Sequence, residues 1–142
     1  MNKLFKHSLP IQLRFNDADT LGHINNAVYL NFYDLGKTSY FQTIYGGQLL
    51  PSDIDVVVAH IDVDFISPVF LTDSVEVQTM VEKIGNKSFT LLQRIVCSET
   101  KQVKCECRTI MVGFDFKKNE SKPISDKWRE AIVRYENRND LV

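Results

Sequence analysis

The 142-residue sequence has few cysteines, almost no net charge and no long apolar run. Its three cysteines, an odd number without a Cys-x-x-Cys spacing, are typical of a reduced compartment rather than a disulfide framework or zinc site. The formal net charge of −1 gives no sign of the basic face of a nucleic-acid-binding protein. The longest aliphatic run, Val56 to Ala59, is far too short to cross a membrane. We therefore expect no nucleic-acid or membrane partner.

The composition is that of an ordinary globular protein, with 44% apolar and 25% charged residues. At this length, and without a repeat or linker, the chain favours a single domain over residues 1–142. Its first ten residues, MNKLFKHSLP, lack the apolar core of a signal peptide, so we expect a cytoplasmic protein. We expect His7, within this segment, to belong to a mobile N-terminus.

The first half of the chain predicts one strand and one long helix. The segment IQLRF after Pro10 alternates and predicts a strand over 11–15. Residues 26–45 contain no proline, and Gly46-Gly47 ends the run. Apolar residues lie nearly all round this segment, which predicts a helix buried on all sides; they include Val28, Tyr29, Leu30, Phe32, Leu35, Tyr40, Phe41 and Ile44.

After residue 51 the periodicity changes from helical to alternating. Segments 60–67, 74–84, 88–98 and 102–116 read as long strands, and GNK at 85–87 is a hairpin turn signal. Strands joined by tight turns indicate an antiparallel sheet. Ser125 is a candidate N-cap for a final amphipathic helix that carries Trp128, Ile132 and Tyr135. A single sheet buries its apolar face against another element, and we expect the long helix to cover this face.

A dense polar stretch, NDADTLGHIN, lies directly ahead of the predicted helix. A carboxylate such as Asp19 is ionised at neutral pH and can attack a carbonyl or deprotonate a water without an activating partner. The start of a buried helix offers unpaired backbone N–H groups and a positive dipole end. Asp19 precedes Asn26, where the helix should begin, by seven residues. From the residues alone, however, Asp19 reads more readily as a loop or cap residue, and Asn25 as the helix cap.

The same stretch carries a motif with a family resemblance. Arg14-Phe15-Asn16-Asp17-Ala18-Asp19, then Gly22-His23-Ile24-Asn25-Asn26 and Tyr29, follow the order R-[aromatic]-x-D-x-D-x-x-G-H-[VI]-N-N-x-x-Y. With the order of elements, this resembles the hotdog-fold acyl-CoA thioesterases of the 4-hydroxybenzoyl-CoA thioesterase type. Two weaker matches are DFISPVFLTDSVEV and GNKS. The sequence departs from the family on the helix, where Asp34, Gly36 and Lys37 stand in place of the usual Glu, Ala and Arg.

The resemblance implies an α+β hotdog fold, with a long antiparallel sheet wrapped around a central buried helix, and a C-terminal helix. It implies an acyl-CoA thioesterase in which Asp19 is the nucleophile or general base and the N–H near Asn26 forms the oxyanion hole. Lys87 and Ser88 are candidate coenzyme A contacts, with Arg108 or Lys104 contributing. The resemblance also implies that the protein is a homodimer or homotetramer that binds an acyl-CoA substrate. No cofactor or metal would be needed beyond the coenzyme A of the substrate.

Several alternatives stay open. His23 either shapes the site and polarises the thioester carbonyl or is hydrogen-bonded inside the loop, and Asp17 is interpreted as a structural brace. His60, Asp62 and Asp64 share a strand face that is better explained by solvent than by a metal. An acyl-carrier-protein thioesterase, a hotdog hydratase and a non-catalytic acyl-binding module are competing functions. The aromatic residues of the helix, Phe32, Tyr40 and Phe41, are expected in the core rather than in an acyl pocket, and the acyl group is undetermined.

Overall fold

A computed structural model describes residues 5–141. Outside this range lie Val142 and residues 1–4, which belong to the N-terminal segment that lacks the apolar core of a signal peptide. The described residues form six strands and two α-helices, with short 3-10 turns in the connections. In chain order the elements are β1 His7–Ile11, α1 Asn26–Ile44, β2 Val56–Phe65, β3 Val75–Ile84, β4 Ser88–Cys97, β5 Val103–Asp115, β6 Glu120–Ser121 and α2 Asp126–Glu136.

The strands form one antiparallel sheet in the order β1-β3-β4-β5-β2, with the short β6 paired to β5. The sheet curls into a half-barrel around α1, which is the predicted α+β hotdog architecture. Because β1 and β2 are the two edges, the ten residues of β2 leave one row of backbone groups without a strand partner among the described residues.

The first strand lies earlier than predicted. The sequence suggested residues 11–15, but β1 is His7–Ile11 and pairs with β3. His7 is 8% exposed and its Nε2 lies 3.1 Å from the Ser39 hydroxyl, so the prediction of a mobile His7 was wrong. Pro10 sits inside the strand rather than ahead of it, since an edge strand tolerates a proline that cannot donate to the ladder.

Helix α1 begins at Asn26 as predicted, and Asn25 is its N-cap, with the side-chain oxygen accepting a hydrogen bond from the Ala27 N–H at 3.0 Å. Its burial is one-sided, however. Leu30 and Leu35, both placed in the buried set, are 42% and 55% exposed, so the prediction of burial on all sides was wrong. The sheet covers only the side facing it. There the fit is tight, because a Cβ on Gly36 would lie 2.6 Å from Val77 Cγ1.

The far end of α1 is closed by an aromatic core. Trp128 of α2 lies edge-on to Phe41, with ring centroids 4.9 Å apart, and stacks on Phe89 at 6.0 Å. The predicted N-cap of α2 is confirmed, since the Trp128 N–H donates to the Ser125 hydroxyl at 3.3 Å. Within residues 5–141, neither helix has the length and apolar character needed to span a membrane.

Candidate active site

The loop before α1 fixes the carboxylate of Asp19. Its Oδ1 accepts hydrogen bonds from the backbone N–H groups of Leu21, at 2.9 Å, and His23, at 3.1 Å. Gly22 closes this turn with a φ of +81°, a left-handed conformation that other residues rarely adopt. Within the part of the chain that the structure describes, Oδ2 accepts no hydrogen bond. One oxygen is therefore held and the other is presented to its surroundings.

Asp17 braces the same loop, as expected. It is 1% exposed and accepts hydrogen bonds from Arg14 Nη2 and from the Arg14 backbone N–H, both at 2.9 Å. The hydrogen bond from the Arg14 side chain holds the pKa of Asp17 below its usual value, despite burial, which acts in the opposite direction. The Asp17 carbonyl also accepts the Asn25 N–H at 2.9 Å. Asp17 thus joins the loop to the start of α1.

The first turn of α1 leaves one N–H group without an acceptor. Asn25 accepts hydrogen bonds from the next two N–H groups. The Asn25 side chain accepts the N–H of Ala27, and the Asn25 carbonyl accepts the N–H of Val28 at 2.9 Å. The N–H of Asn26 donates to no acceptor among residues 5–141. Because the N-terminus of a helix carries a partial positive charge, this group is suited to bind a developing negative charge.

The opposite wall comes from the connection after β2. Backbone hydrogen bonds clamp it to the loop: Ile24 N–H donates to the Val69 carbonyl at 2.8 Å, and Leu71 N–H to the Gly22 carbonyl at 3.3 Å. The Tyr29 hydroxyl accepts the Val69 N–H at 3.3 Å, and burial raises the pKa of this tyrosine. The sequence reading missed this wall as part of the site, although the weak DFISPVFLTDSVEV match covers it.

These pieces enclose a cleft of about 370 Å³. Its volume is within the range of small-molecule sites. It brings together Asp19, His23 and Asn26, the three predicted catalytic residues, with Tyr29 and the backbone of the connection; the lining residues are Asp19, His23, Ile24, Asn26, Tyr29, Phe65, Ile66, Ser67 and Pro68. The His23 ring lies edge-on to Phe70, with centroids 4.9 Å apart.

The predicted coenzyme A contacts lie elsewhere in the same chain. Ser88 pairs with Val112, whereas Phe65, at the cleft, pairs with Cys105. Seven residues of β5 separate these levels, about 23 Å at the rise of a strand. Lys87 and Ser88 therefore lie at the opposite end of the sheet from Asp19.

The two other candidate coenzyme A contacts, Lys104 and Arg108, lie in different surroundings. Lys104 lies at the cleft end, where its carbonyl accepts the N–H groups of Ile66 and Ser67, both at 3.0 Å. Arg108 is engaged by carboxylates, with Nε 3.1 Å from Glu82 and Nη1 3.2 Å from Glu106. Neither contributes a side chain to the lining of the cleft.

On the polar face of β2, which carries His60, Asp62 and Asp64, the structure shows a histidine–aspartate pair. His60 Nε2 lies 3.0 Å from Asp62 Oδ2 on the exposed edge strand β2. Across residues 5–141, no three potential ligand side chains come close enough together to hold a metal ion.

Comparison with known proteins agrees with this fold. The sequence profile of the thioesterase-like superfamily matches residues 13–132. The chain is 28% identical over 108 residues to the acyl-CoA thioester hydrolase YbgC of Escherichia coli O6:H1, covering 75% of this chain and 80% of that protein. It is 24% identical over 123 residues to the long-chain acyl-CoA thioesterase FadM of E. coli K12, covering 86% and 93%.

Comparison with a solved structure also indicates a thioesterase fold. The thioesterase of Thermus thermophilus, crystallised with coenzyme A and zinc, superposes with a TM-score of 0.82 at 28% identity, covering 94% of this chain and 96% of that one. The kinship with thioester hydrolases that the opening motif predicted is thereby confirmed. The chain belongs to the thioesterase-like superfamily and has its hotdog fold.

Proposed function

We propose that this protein hydrolyses acyl-CoA thioesters, releasing a carboxylic acid and free coenzyme A. The observation that carries the proposal is the shared cleft of a carboxylate with one free oxygen, on Asp19, and a helix start with a free N–H, on Asn26. An attacking oxygen and a donor for the carbonyl oxygen are the two groups that acyl transfer requires. The names of the relatives, an acyl-CoA thioester hydrolase and an acyl-CoA thioesterase, support the substrate class.

In the proposed reaction the thioester carbonyl oxygen accepts the Asn26 N–H. Asp19 Oδ2 then either attacks the carbonyl carbon or takes a proton from a water that attacks it. In both routes the C–S bond breaks, and the sulfur leaves as the coenzyme A thiolate and takes up a proton from water. If Oδ2 attacks, an anhydride between the acyl group and Asp19 forms first, and a water then hydrolyses it and restores the carboxylate; in the other route the attacking water supplies the oxygen of the acid directly. The held Oδ1 fixes the carboxylate in place, which reduces the reorganisation needed in the transition state.

We assign His23 a positioning role in this site. Its backbone N–H holds Asp19, and its carbonyl accepts the Asp19 N–H at 2.8 Å. The imidazole forms part of the lining and packs on Phe70. Both interactions favour a residue that shapes the loop over one that exchanges protons.

We further propose that two copies complete the site by pairing their β2 edges. The edge is long and carries exposed apolar side chains, including Ile61 at 42% and Phe65 at 51%. Antiparallel pairing would bring Phe65 of one copy beside Val56 of the other. Lys87 and Ser88 of the second copy would then lie three strand spacings from the cleft, about 14 Å. This supports a coenzyme A site made from both copies, with Lys87 near the phosphates.

The mass in solution tests this assembly. We expect a dimer, or a tetramer built from it, in light scattering. Replacing Ile61 with Lys should shift the mass toward the monomer, because a charge would be buried at the interface. A wild-type monomer at the concentration of the activity assay would contradict the shared site.

The proposal includes a cytoplasmic location and no cofactor beyond the coenzyme A of the substrate. The three free thiols, at Cys97, Cys105 and Cys107, suit a reducing compartment. Hydrolysis needs only groups already present in the cleft. Acyl-carrier-protein thioesters are the second candidate substrate, since the same carboxylate and N–H would serve either thiol carrier.

Release of free thiol from acyl-CoA esters tests the reaction. We expect wild-type turnover, and losses of at least a hundredfold in Asp19→Asn, which keeps the side-chain shape but removes the charge. Asp140→Asn is the matched control and should keep its rate, because Asp140 is an exposed carboxylate paired with Arg138, outside both the cleft and the β2 edge. Full activity in Asp19→Asn would exclude Asp19 as the attacking group. Acyl binding without turnover in wild type would favour a non-catalytic module instead.

A further inference from the structure

A strip of apolar side chains continues from the cleft along one side of α1; Leu30, Ile61 and Phe65 are exposed, and Val63 is partly buried. Asn26, Leu30 and Lys37 are spaced at i, i+4 and i+11, so they share a side of the helix. On the sheet, Phe65, Val63 and Ile61 pair with Cys105, Cys107 and Thr109. Directly opposed residues share a face. All three partners are buried, and Cys105 and Cys107 belong to one core cluster with Tyr33 of α1, so these β2 residues lie on the same face as the helix.

Lys37 ends this strip with a positive charge. Its ammonium lies 3.2 Å from Asp34 Oδ1, yet its side chain is only 18% exposed, whereas Asp34 is 69% exposed. The lysine is turned toward the sheet and the aspartate toward solvent. Burial raises the pKa of Cys107, which lies opposite Val63; the charge of Lys37 opposes this change, and the charges of Asp62 and Asp34 add to it.

The length of the strip follows from helix geometry. Lysine side chains point back toward the helix N-terminus, and the pairing of Lys37 with Asp34 places the ammonium near the level of residue 34. Eight residues separate that level from Asn26, about 12 Å at the helical rise. An extended chain with C–C bonds of about 1.5 Å spans this distance with roughly eight to ten carbons.

We propose that Lys37 is a specificity-determining residue, and that the acyl group of the substrate is about eight to ten carbons long and carries an oxygen at its distal end. Leu30, Val63 and Ile61 would contact the methylene groups, and the ammonium would donate to the terminal oxygen. This assignment rests on the proposed thioester hydrolysis and adds the acyl class to it. Asp34 competes for the same ammonium, which limits how strongly a terminal anion is held.

Three eight-carbon thioesters distinguish the sources of that oxygen: octanoyl-CoA, ω-hydroxyoctanoyl-CoA and octanedioyl-CoA. Wild type should prefer one or both oxygenated esters over octanoyl-CoA in kcat/KM. Lys37→Met keeps the length and apolar stem but removes the charge. We expect it to lower kcat/KM for octanedioyl-CoA by about tenfold or more, the range for a hydrogen bond to a charged group. Its octanoyl-CoA rate should stay within about threefold.

Matched variants separate this role from general effects of charge or folding. Lys101→Met removes the same charge from an exposed lysine paired with Glu76, and it should leave the ratio of the rates unchanged. Lys37→Arg should retain most of the preference, and Asp34→Asn should increase it for octanedioyl-CoA. Unchanged ratios in a folded Lys37→Met would overturn the proposal while leaving thioester hydrolysis intact.

A binding measurement keeps the test independent of turnover. If no thioester is hydrolysed, the proposed function fails, and calorimetry with octanoate and the neutral octanamide still decides the role of Lys37. Tighter binding of octanoate that Lys37→Met abolishes would support the lysine contact. Equal binding of octanoate and octanamide to wild type would refute it.

Discussion

The two ends of α1 differ in what they leave unsatisfied. At the first turn, the Asn26 N–H has no acceptor among the described residues, and the neighbouring carboxylate of Asp19 is exposed to solvent. Fourteen residues later, Tyr40 is fully buried, and its hydroxyl donates to Glu136 at 2.6 Å. The Val81 N–H donates to the same carboxylate at 3.3 Å. One end of the helix is therefore open for a ligand and the other is closed by the protein.

This difference separates stability from chemistry along a single element. The closed end combines aromatic packing with satisfied buried polar groups, the arrangement that contributes most to a folded core. At the open end, the Asn26 N–H lacks an acceptor among the described residues, as the proposed hydrolysis requires of a donor for the charge that forms during reaction. A rigid anchor at the far end allows the first turn to hold its N–H in place without being buried itself. Substitutions at the two ends should therefore have different signatures.

The largest effect should come from the closed end. Trp128 is 1% exposed, and its indole N–H donates to the Asp53 carbonyl at 3.1 Å. Trp128→Ala removes both the packing and this hydrogen bond, and should lower the free energy of unfolding by about 3–5 kcal/mol. Denaturant unfolding measures the loss. The activity per folded molecule should change little, because the cleft lies at the other end of α1.

Arg134→Ala, on the exposed face of α2, is the control and should stay within about 0.5 kcal/mol of wild type. If Trp128→Ala instead reduced turnover without loss of stability, the separation between the two ends would be wrong.

A proline at the open end should have a slightly smaller effect, on turnover alone. Asn26→Pro removes only the N–H at the first helical position, where proline is well tolerated. The preceding residue, Asn25, has φ −63° and ψ 136°, a conformation compatible with a following proline. We expect kcat to fall by about 10²–10³, equivalent to about 2.7–4 kcal/mol of transition-state stabilisation. The melting temperature should be nearly unchanged.

Asn26→Ala keeps the N–H and loses the side chain, so its turnover should lie well above that of the proline variant. Equal losses in the two variants would place the effect in the side chain and remove the oxyanion role from the backbone.

Much of the fold could be predicted because local signals agreed with the final packing. The alternating strands, the Asn25 and Ser125 caps and the glycine end of α1 are all short-range patterns. The errors arose where tertiary context decides. Pro10 looked like a strand boundary, yet it lies inside an edge strand. Leu30 and Leu35 are apolar but exposed, because composition does not reveal which side of a helix the sheet covers.

For a similar reason, the sequence located the loop side of the candidate site but not its opposite wall. Asp19, His23 and Asn26 lie within eight residues of one another, so one motif finds them together. The opposite wall depends on the pairing of Ile24 with Val69, a contact across 45 residues that no local pattern encodes. The distance of Lys87 from the cleft depends on strand lengths and register, which alternation alone does not fix.

The two hydrogen bonds to Oδ1 of Asp19 make its carboxylate oxygens chemically distinguishable before any substrate arrives. Rotating the carboxylate by half a turn would exchange them only by breaking both bonds. If the acyl group is transferred to the enzyme, the bridging oxygen of the resulting mixed anhydride should therefore be Oδ2 in every cycle. If water attacks directly, Oδ2 carries only the proton. Under the proposed hydrolysis, the loop therefore restricts the reaction to a single atom of Asp19, as a chiral centre directs a reagent to one of two faces.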